Sequence, residues 1–278
     1  MVEKELRRLL PETKGLEESV CEAMRYSVFA GGKRIRPVLL LATNELCGGN
    51  TTEALPAACA LEMVHTYSLI HDDLPAMDDG QLRRGIPTTH KKFGEAIALL
   101  AGDALLTLAF EALSNCHESV VPKLVYEMAH AAGTMGMIGG QVADIEWAGK
   151  EVEFPTLEYI HSHKTGALIT ASVRMGAIIA GTDTETLKSL TGYGHCLGLA
   201  FQIADDILDV ESDSSITGKD SRSDVALNKA TYPRLFGVAE SRRRCLSLIE
   251  QSKKHLADFG PRAGMLEAIA DIVGNRKA

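Results

Sequence analysis

Between His71 and Gly85 the chain reads HDDLPAMDDGQLRRG, with aspartates at 72, 73, 78 and 79 and arginines at 83 and 84. A second acidic run, FQIADDILD, carries Asp205, Asp206 and Asp209. Both are embedded in apolar sequence. Leu61, Met63, Val64, Leu69 and Ile70 lead into the first, and Leu197, Leu199, Phe201, Ile203, Ile207 and Leu208 surround the second. Carboxylates this close repel one another, and taking them out of water is costly unless they are paired or neutralised. A solvated acidic surface would mix in lysine, yet Lys188 is the one lysine or arginine between Arg174 and Asp205.

Helical spacing puts each run on one face. Gln202, Asp205, Asp206 and Asp209 fall at i, i+3, i+4 and i+7. Glu62, His65, Ser68 and Asp72 share a face to within a turn's drift, and Pro75 then disfavours further helix. Two acidic stripes inside an apolar chain predict a cation between them. Oxygen ligands without Cys or His select a hard ion such as Mg²⁺, which binds one or two carboxylates together with substrate phosphate. The stripes are therefore expected to be facing walls of a cavity that holds Mg²⁺ and a diphosphate.

The elements that must carry these walls read as helices. Helical patterns cover Glu17–Ala30, Arg36–Cys47, Glu53–Asp73, Lys92–Asn115, Pro122–Trp147, Thr156–Ile179, Thr184–Val210, Tyr232–Phe259 and Arg262–Val273. Alternation bounded by hairpin signals is absent, as are linkers and fixed-period repeats. The expectation is an all-α chain, one domain over residues 1–278, built as a bundle of about ten helices around a central cavity.

Composition bounds the rest. The 278 residues are 45% hydrophobic, enough for one sizeable core, and the net charge of −8 makes nucleic acid or an anionic membrane a poor general partner. Six scattered cysteines without a CxxC pair suit a reduced, intracellular chain. The longest apolar stretches, Ile97–Phe110 and Gly166–Gly181, each carry a charge and are shorter than the ~18–20 residues of a membrane span, so no transmembrane segment is expected. The start, MVEKELRRLL, lacks a secretory apolar region.

DDLPAMD has the form DDxxxxD, followed by RRG, and DDILD has the form DDxxD. Together with GGKRIRP, THKKFGEAIALLAGDALL, GGQVAD, HKTGAL, TGKD and NKATYP, in that order along most of the chain, they resemble the trans-isoprenyl diphosphate synthases, or polyprenyl synthetases. The resemblance is nearest to bacterial and plastid-type short-chain enzymes. It implies the isoprenoid-synthase all-α fold and Mg-dependent head-to-tail prenyl transfer. An allylic diphosphate (C5, C10) ionises and isopentenyl diphosphate attacks the cation. It also implies three Mg²⁺ ions, with Mn²⁺ as a substitute, and a homodimer. A cytoplasmic location is expected, or a plastid one where a transit peptide has been removed.

The resemblance carries roles onto individual positions. Asp72, Asp73 and Asp78 match the first metal motif, and Asp205, Asp206 and Asp209 the second, with Asp206 and Asp209 the weaker candidates for direct ligation. Lys33, Arg36, His65 and Arg84 match the isopentenyl diphosphate site. Arg83, Lys164, Thr165, Gln202 and Lys219 match the allylic diphosphate pocket, with Lys229 adding charge as a lid closes. The chain departs from many relatives in lacking glycine near Arg222 and Ser223. Tyr67 and Ser68, five and four residues before Asp72, lie ~6–7.5 Å back along a helix, where they could floor a hydrocarbon tunnel. An aromatic residue there, with two extra residues within the motif, resembles bacterial farnesyl diphosphate synthases, and the resemblance implies a C15 product, farnesyl diphosphate, over C20 geranylgeranyl diphosphate.

Other polar residues read as structural: His161 and His163 lack a third ligand, and Asp103 reads as a buried hydrogen-bonding acid. Gln141 and Glu62 read equally as cavity lining or as polar packing. A terpene cyclase normally lacks the second DDxxD, head-to-head synthases pattern their acids differently, and a non-catalytic regulatory subunit tends to lose an acid motif that is intact here.

Overall fold

The computed structural model describes residues 1–12, 14–211 and 230–276. Lys219, Lys229 and the Arg222–Ser223 departure lie outside the described residues. The described chain is all-α apart from one two-stranded ladder. Helices α1 (Val2–Leu9), α2 (Glu18–Val28), α3 (Ile35–Leu46) and α4 (Thr51–Asp72) lead to the ladder, β1 (Leu82–Arg83) with β2 (Ile86–Pro87). Then come α5 (Thr89–Phe93), α6 (Glu95–Leu113), α7 (Val121–Ala132), α8 (Met137–Glu146) and α9 (Phe154–His161). A π turn, Ser162–Gly166, joins α9 to α10 (Ala167–Ile179), and α11 (Thr184–Glu211) follows. Past the undescribed segment lie α12 (Tyr232–Phe236), α13 (Val238–Lys254) and, after a 3₁₀ turn, α14 (Gly264–Gly274).

More helices result than the patterns predicted because glycines divide them. Lys92–Asn115 breaks at Gly94 (φ +85) and Tyr232–Phe259 at Gly237 (φ +78), where the left-handed backbone suits a residue without Cβ. Pro122–Trp147 breaks between Gly133 and Gly136. α1 was not anticipated, although Leu6 is fully buried.

The two acidic helices each organise a core. α4 is covered nearly all round, with Ala54, Ala57, Leu61, Met63, Val64 and Ile70 buried, and it packs against α6 along most of its length. Its start is fixed by Asn50, whose side chain accepts from the Thr52 amide at 2.9 Å. α11 organises the other core with α13 and α14, burying Leu190, Tyr193, Leu197, Ile203 and Ile207. α10 lies between and belongs to both. Leu168, Ala171 and Met175 face the α4 core, while Ile169, Val173 and Ala177 face the α11 core. Each fully buried Leu, Ile, Val or Met among them contributes ~1.5–3 kcal/mol, so α10, packed against both α4 and α11, sets the separation of the two acidic helices.

α6 is the one described helix long and apolar enough to cross a membrane by length and composition. Its tie to α4 uses Ala98, Ala101, Leu105 and Ala109, all buried, while Leu99 and Leu100 remain about half exposed.

Candidate active site

α4 ends at Asp72, and the chain after it folds back onto the helix end. The amide of Asp78 donates to the Asp72 carbonyl at 2.9 Å, and that of Asp79 to the Leu74 carbonyl at 3.1 Å. Acids are thereby concentrated at a helix C-terminus, the end where the helix dipole disfavours negative charge. Donors offset part of that cost. Gln141 on α8 donates through Nε2 to Asp72 Oδ1 at 2.9 Å. Arg83 on β1 grips Asp73 with both Nε (2.7 Å) and Nη2 (2.8 Å). The hairpin between Arg83 and Ile86 turns through Arg84 (φ +54) and Gly85 (φ +78), so the two arginines leave it in different directions.

The second wall is graded in depth. Asp206 is buried, Asp205 half-buried and Asp209 exposed. Asp206 Oδ1 accepts from Gln202 Nε2 at 3.0 Å, and Oδ2 accepts from the Tyr232 amide at 2.9 Å. His161 Nε2 lies 3.5 Å from the same Oδ2. Burial pushes the Asp206 carboxyl up to about 8, with Asp205 and Asp209 adding to the rise against the two hydrogen bonds. Burial holds the His161 imidazole down to about 3. Both Asp206 oxygens are thus engaged by donors from the protein. Through these contacts it joins α11 to α9 and α12. Asp205, one residue away, turns to a different side, where Arg276 after α14 donates to its Oδ1 at 2.5 Å. The same guanidinium sits 4.5 Å over the Phe201 ring.

Two bridges of side chains link the walls. On one side α8 carries both Gln141, bonded to Asp72, and Asp144, which binds Lys164 Nζ at 2.6 Å. Lys164 stands in the π turn beside Thr165, whose hydroxyl donates to Gln202 Oε1 at 2.7 Å. Asp144, Lys164, Thr165, Gln202 and Asp206 line one small cavity of about 70 Å³. α8 can lie this close because Gly140 has no side chain, and a Cβ there would collide with the Lys164 backbone. On the other side lies a row of cations. The Lys33 ammonium is pulled below its usual range by partial burial and by Arg276, against the attraction of Asp205. Arg36 also feels Asp205, and its buried Nε has no hydrogen-bond partner. The His65 imidazole is held well below its usual range by burial and by Arg36, Arg84, Arg83 and Arg34. The cations thus run from Asp205 across to Arg83 and the first motif.

The remaining polar residues take the following places. Glu62 lies only 2% exposed and binds Arg34 at 2.7 Å, so it serves packing and the start of α3. Asp103 is exposed, with its carboxylate 3.8 Å from His71, which corrects its expected burial. His161 and His163 diverge, the latter stacking on Tyr159 at 3.9 Å. Tyr67 is buried, its hydroxyl has no hydrogen-bond partner, and burial with the nearby Asp72 pushes it up to about 12. Ser68 is half-buried, its hydroxyl returned to the His65 carbonyl at 2.8 Å. The Arg276 contact lacked any sequence signal, being 71 residues from its partner.

Among the described residues no three His, Cys, Asp or Glu side chains converge closely enough to hold an ion by themselves. Mg²⁺ takes few protein carboxylates and completes its shell with water and phosphate. The donor set also fits. Asp205 already accepts a positive guanidinium, and Asp72 an amide N–H, at oxygens that a hard cation would share.

All-helical walls bearing two separated acid motifs and a row of cations define a diphosphate-handling isoprenoid synthase. The polyprenyl synthetase family model matches residues 17–261, and the chain belongs to that family and is a prenyltransferase. It is 46% identical to the geranylgeranyl diphosphate synthase of Cyanophora paradoxa, covering 99% of this chain and 93% of that one. It is equally 46% identical to the farnesyl diphosphate synthase of Geobacillus stearothermophilus, covering 99% and 94%. Among solved structures, a Helicobacter pylori geranyltransferase complexed with magnesium and isoprenyl diphosphate superposes with a TM-score of 0.87 at 34% identity, covering 99% of this chain and 93% of that one.

Proposed function

We propose that this prenyltransferase condenses isopentenyl diphosphate head-to-tail with C5 and C10 allylic diphosphates, with farnesyl diphosphate as the main product. The observation that carries the reading is the pair of bridges between the acid walls: Asp72–Gln141 with Asp144–Lys164 on α8, and the cations between Asp205 and Arg83. Asp72, Asp78 and Asp205 would hold Mg²⁺, three ions in all, with Asp73 orienting Arg83 and with Asp209 at the exposed edge. The ions supply Lewis-acid stabilisation of the departing pyrophosphate, and Mn²⁺ could replace them. Arg83, Lys164, Thr165 and Gln202 receive the allylic diphosphate, and Lys219 and Lys229 are assigned to the same pocket from their motif positions alone. Lys33, Arg36, His65 and Arg84 receive isopentenyl diphosphate. The unpartnered Arg36 Nε suits an anion, since a buried donor without a partner costs about 1–3 kcal/mol.

The C15 preference rests on Tyr67, buried against α4's neighbours with an unpartnered hydroxyl. The C20 alternative keeps its standing from the relative named a geranylgeranyl diphosphate synthase. We further propose one domain over 1–278, a cytoplasmic or plastid location, and a homodimer. The dimer rests on apolar side chains left exposed, Leu99 and Leu100 on α6 and Ile138, Val142 and Ile145 on α8. The test is incubation with labelled isopentenyl diphosphate, Mg²⁺ and separate C5, C10 and C15 allylic diphosphates. Label in C15 from the C5 and C10 primers supports the reading, and no incorporation with any primer refutes it.

A further inference from the structure

The hairpin that carries Arg83 rests on a histidine to which prenyl transfer gives no role. His90 lies in α5 with its side chain 2% exposed. Its Nδ1 is 3.1 Å from Thr88 Oγ1, and the Thr88 hydroxyl donates to the Gly80 carbonyl at 2.7 Å. A hydroxyl has one proton, and a carbonyl only accepts. Thr88 has therefore spent its proton on Gly80 and must accept from His90, so Nδ1 carries the hydrogen. Nε2 is buried without a hydrogen-bond partner, 3.7 Å from Asp79, whose backbone is left-handed (φ +46).

The relay ends against the site. A Cβ at Gly80 would come within 2.7 Å of Asp73 Oδ1, so the Gly80 backbone is the floor on which that carboxylate lies. Asp73 holds Arg83 through both nitrogens, and the Thr88 amide closes the hairpin neck on the Gln81 carbonyl at 3.1 Å. We propose that His90, acting through Thr88 and Gly80, is a positioning residue for the Asp73–Arg83 pair and so for the allylic diphosphate. The inference rests on the prenyl-transfer reading of the site. His90 touches no reacting atom. It holds the Gly80 backbone against Asp73, the carboxylate that grips Arg83.

Three variants separate this from a merely packed histidine. His90→Asn keeps an N–H where Nδ1 stood. His90→Gln moves the amide to the Nε2 end and loses the Thr88 bond. Thr88→Val removes the relay hydroxyl at similar volume. For each, kcat and KM are measured for both diphosphates, with calorimetric binding of inorganic pyrophosphate plus Mg²⁺ and a thermal melt to set the folded fraction. Gln and Val are expected to raise the allylic KM about tenfold, the loss of roughly one hydrogen bond, and to weaken pyrophosphate binding comparably. The isopentenyl KM should stay within about twofold, and Asn should restore the allylic KM to within about threefold of wild type. Unchanged KM and pyrophosphate affinity in Gln and Val, an Asn variant as impaired as Gln, or both KM values rising together would each overturn the proposal. A folded wild type that condenses no diphosphates overturns the functional reading and this inference with it.

Discussion

Adjacent carboxylates in the second motif have been given different jobs by one step of helix rotation. Asp206 points into the protein and takes two hydrogen bonds, while Asp205 points to the cations. Spacing along the sequence showed that both lie near one face, but not which side was already filled by His161 and Tyr232. The burial of Asp206 has a pH consequence. Its carboxyl is raised to about 8 when folded, against about 4 for an unfolded aspartate. The folded state therefore holds a proton that the unfolded state releases, and stability falls as pH rises from about 4 to 8. With EDTA present, Tm should decline across that window, and Asp206→Asn should flatten the decline. An unchanged slope in the variant would assign the dependence elsewhere. Tyr67 makes the second prediction at this scale. Tyr67→Ala opens space five residues behind Asp72 and should lengthen the product beyond C15, read by product chromatography, with ionisation intact.

At the scale of elements, the acidic helices were legible because they are long, periodic and punctuated. The pattern Glu53–Asp73 became α4 and Thr184–Val210 became α11 almost unchanged. What failed was punctuation by single glycines at 94 and 237, and the two-residue ladder at 82–87, too short to carry alternation. Tertiary contacts were hidden for a different reason. Nothing local ties Arg276 to Asp205 or Thr88 to Gly80; folding brings them together. The Arg276 contact makes a prediction. A guanidinium sharing Asp205 with a metal offsets the same negative charge, so Arg276→Ala should tighten Mg²⁺–pyrophosphate binding by about fivefold, the worth of one partly exposed ion pair. Calorimetry at low salt checks this, and weaker binding in the variant would mean that Arg276 serves the diphosphate instead.

The whole molecule sets two hydrophobic cores side by side, shares α10 between them, and leaves their two acidic helices addressing one region. The proposed homodimer is tested at Leu99 and Leu100, about half exposed on the most apolar helix. Leu99→Asp with Leu100→Asp should convert a dimer to monomer in sedimentation velocity while the helical signal is retained. A wild type that sediments as a monomer would remove the homodimer.

The central claim is that both acid walls serve one metal-bound diphosphate, and a double-mutant cycle on Asp72 and Asp205 tests it most directly. Asp72→Ala and Asp205→Ala should each lower kcat/KM about a hundredfold or more, since metal stabilisation of the leaving group is worth several kcal/mol. Groups that act as a unit do not add, so the double variant should fall little below the worse single one. Losses that multiply in the double variant, or near-normal turnover in either single one at saturating Mg²⁺, would contradict the account.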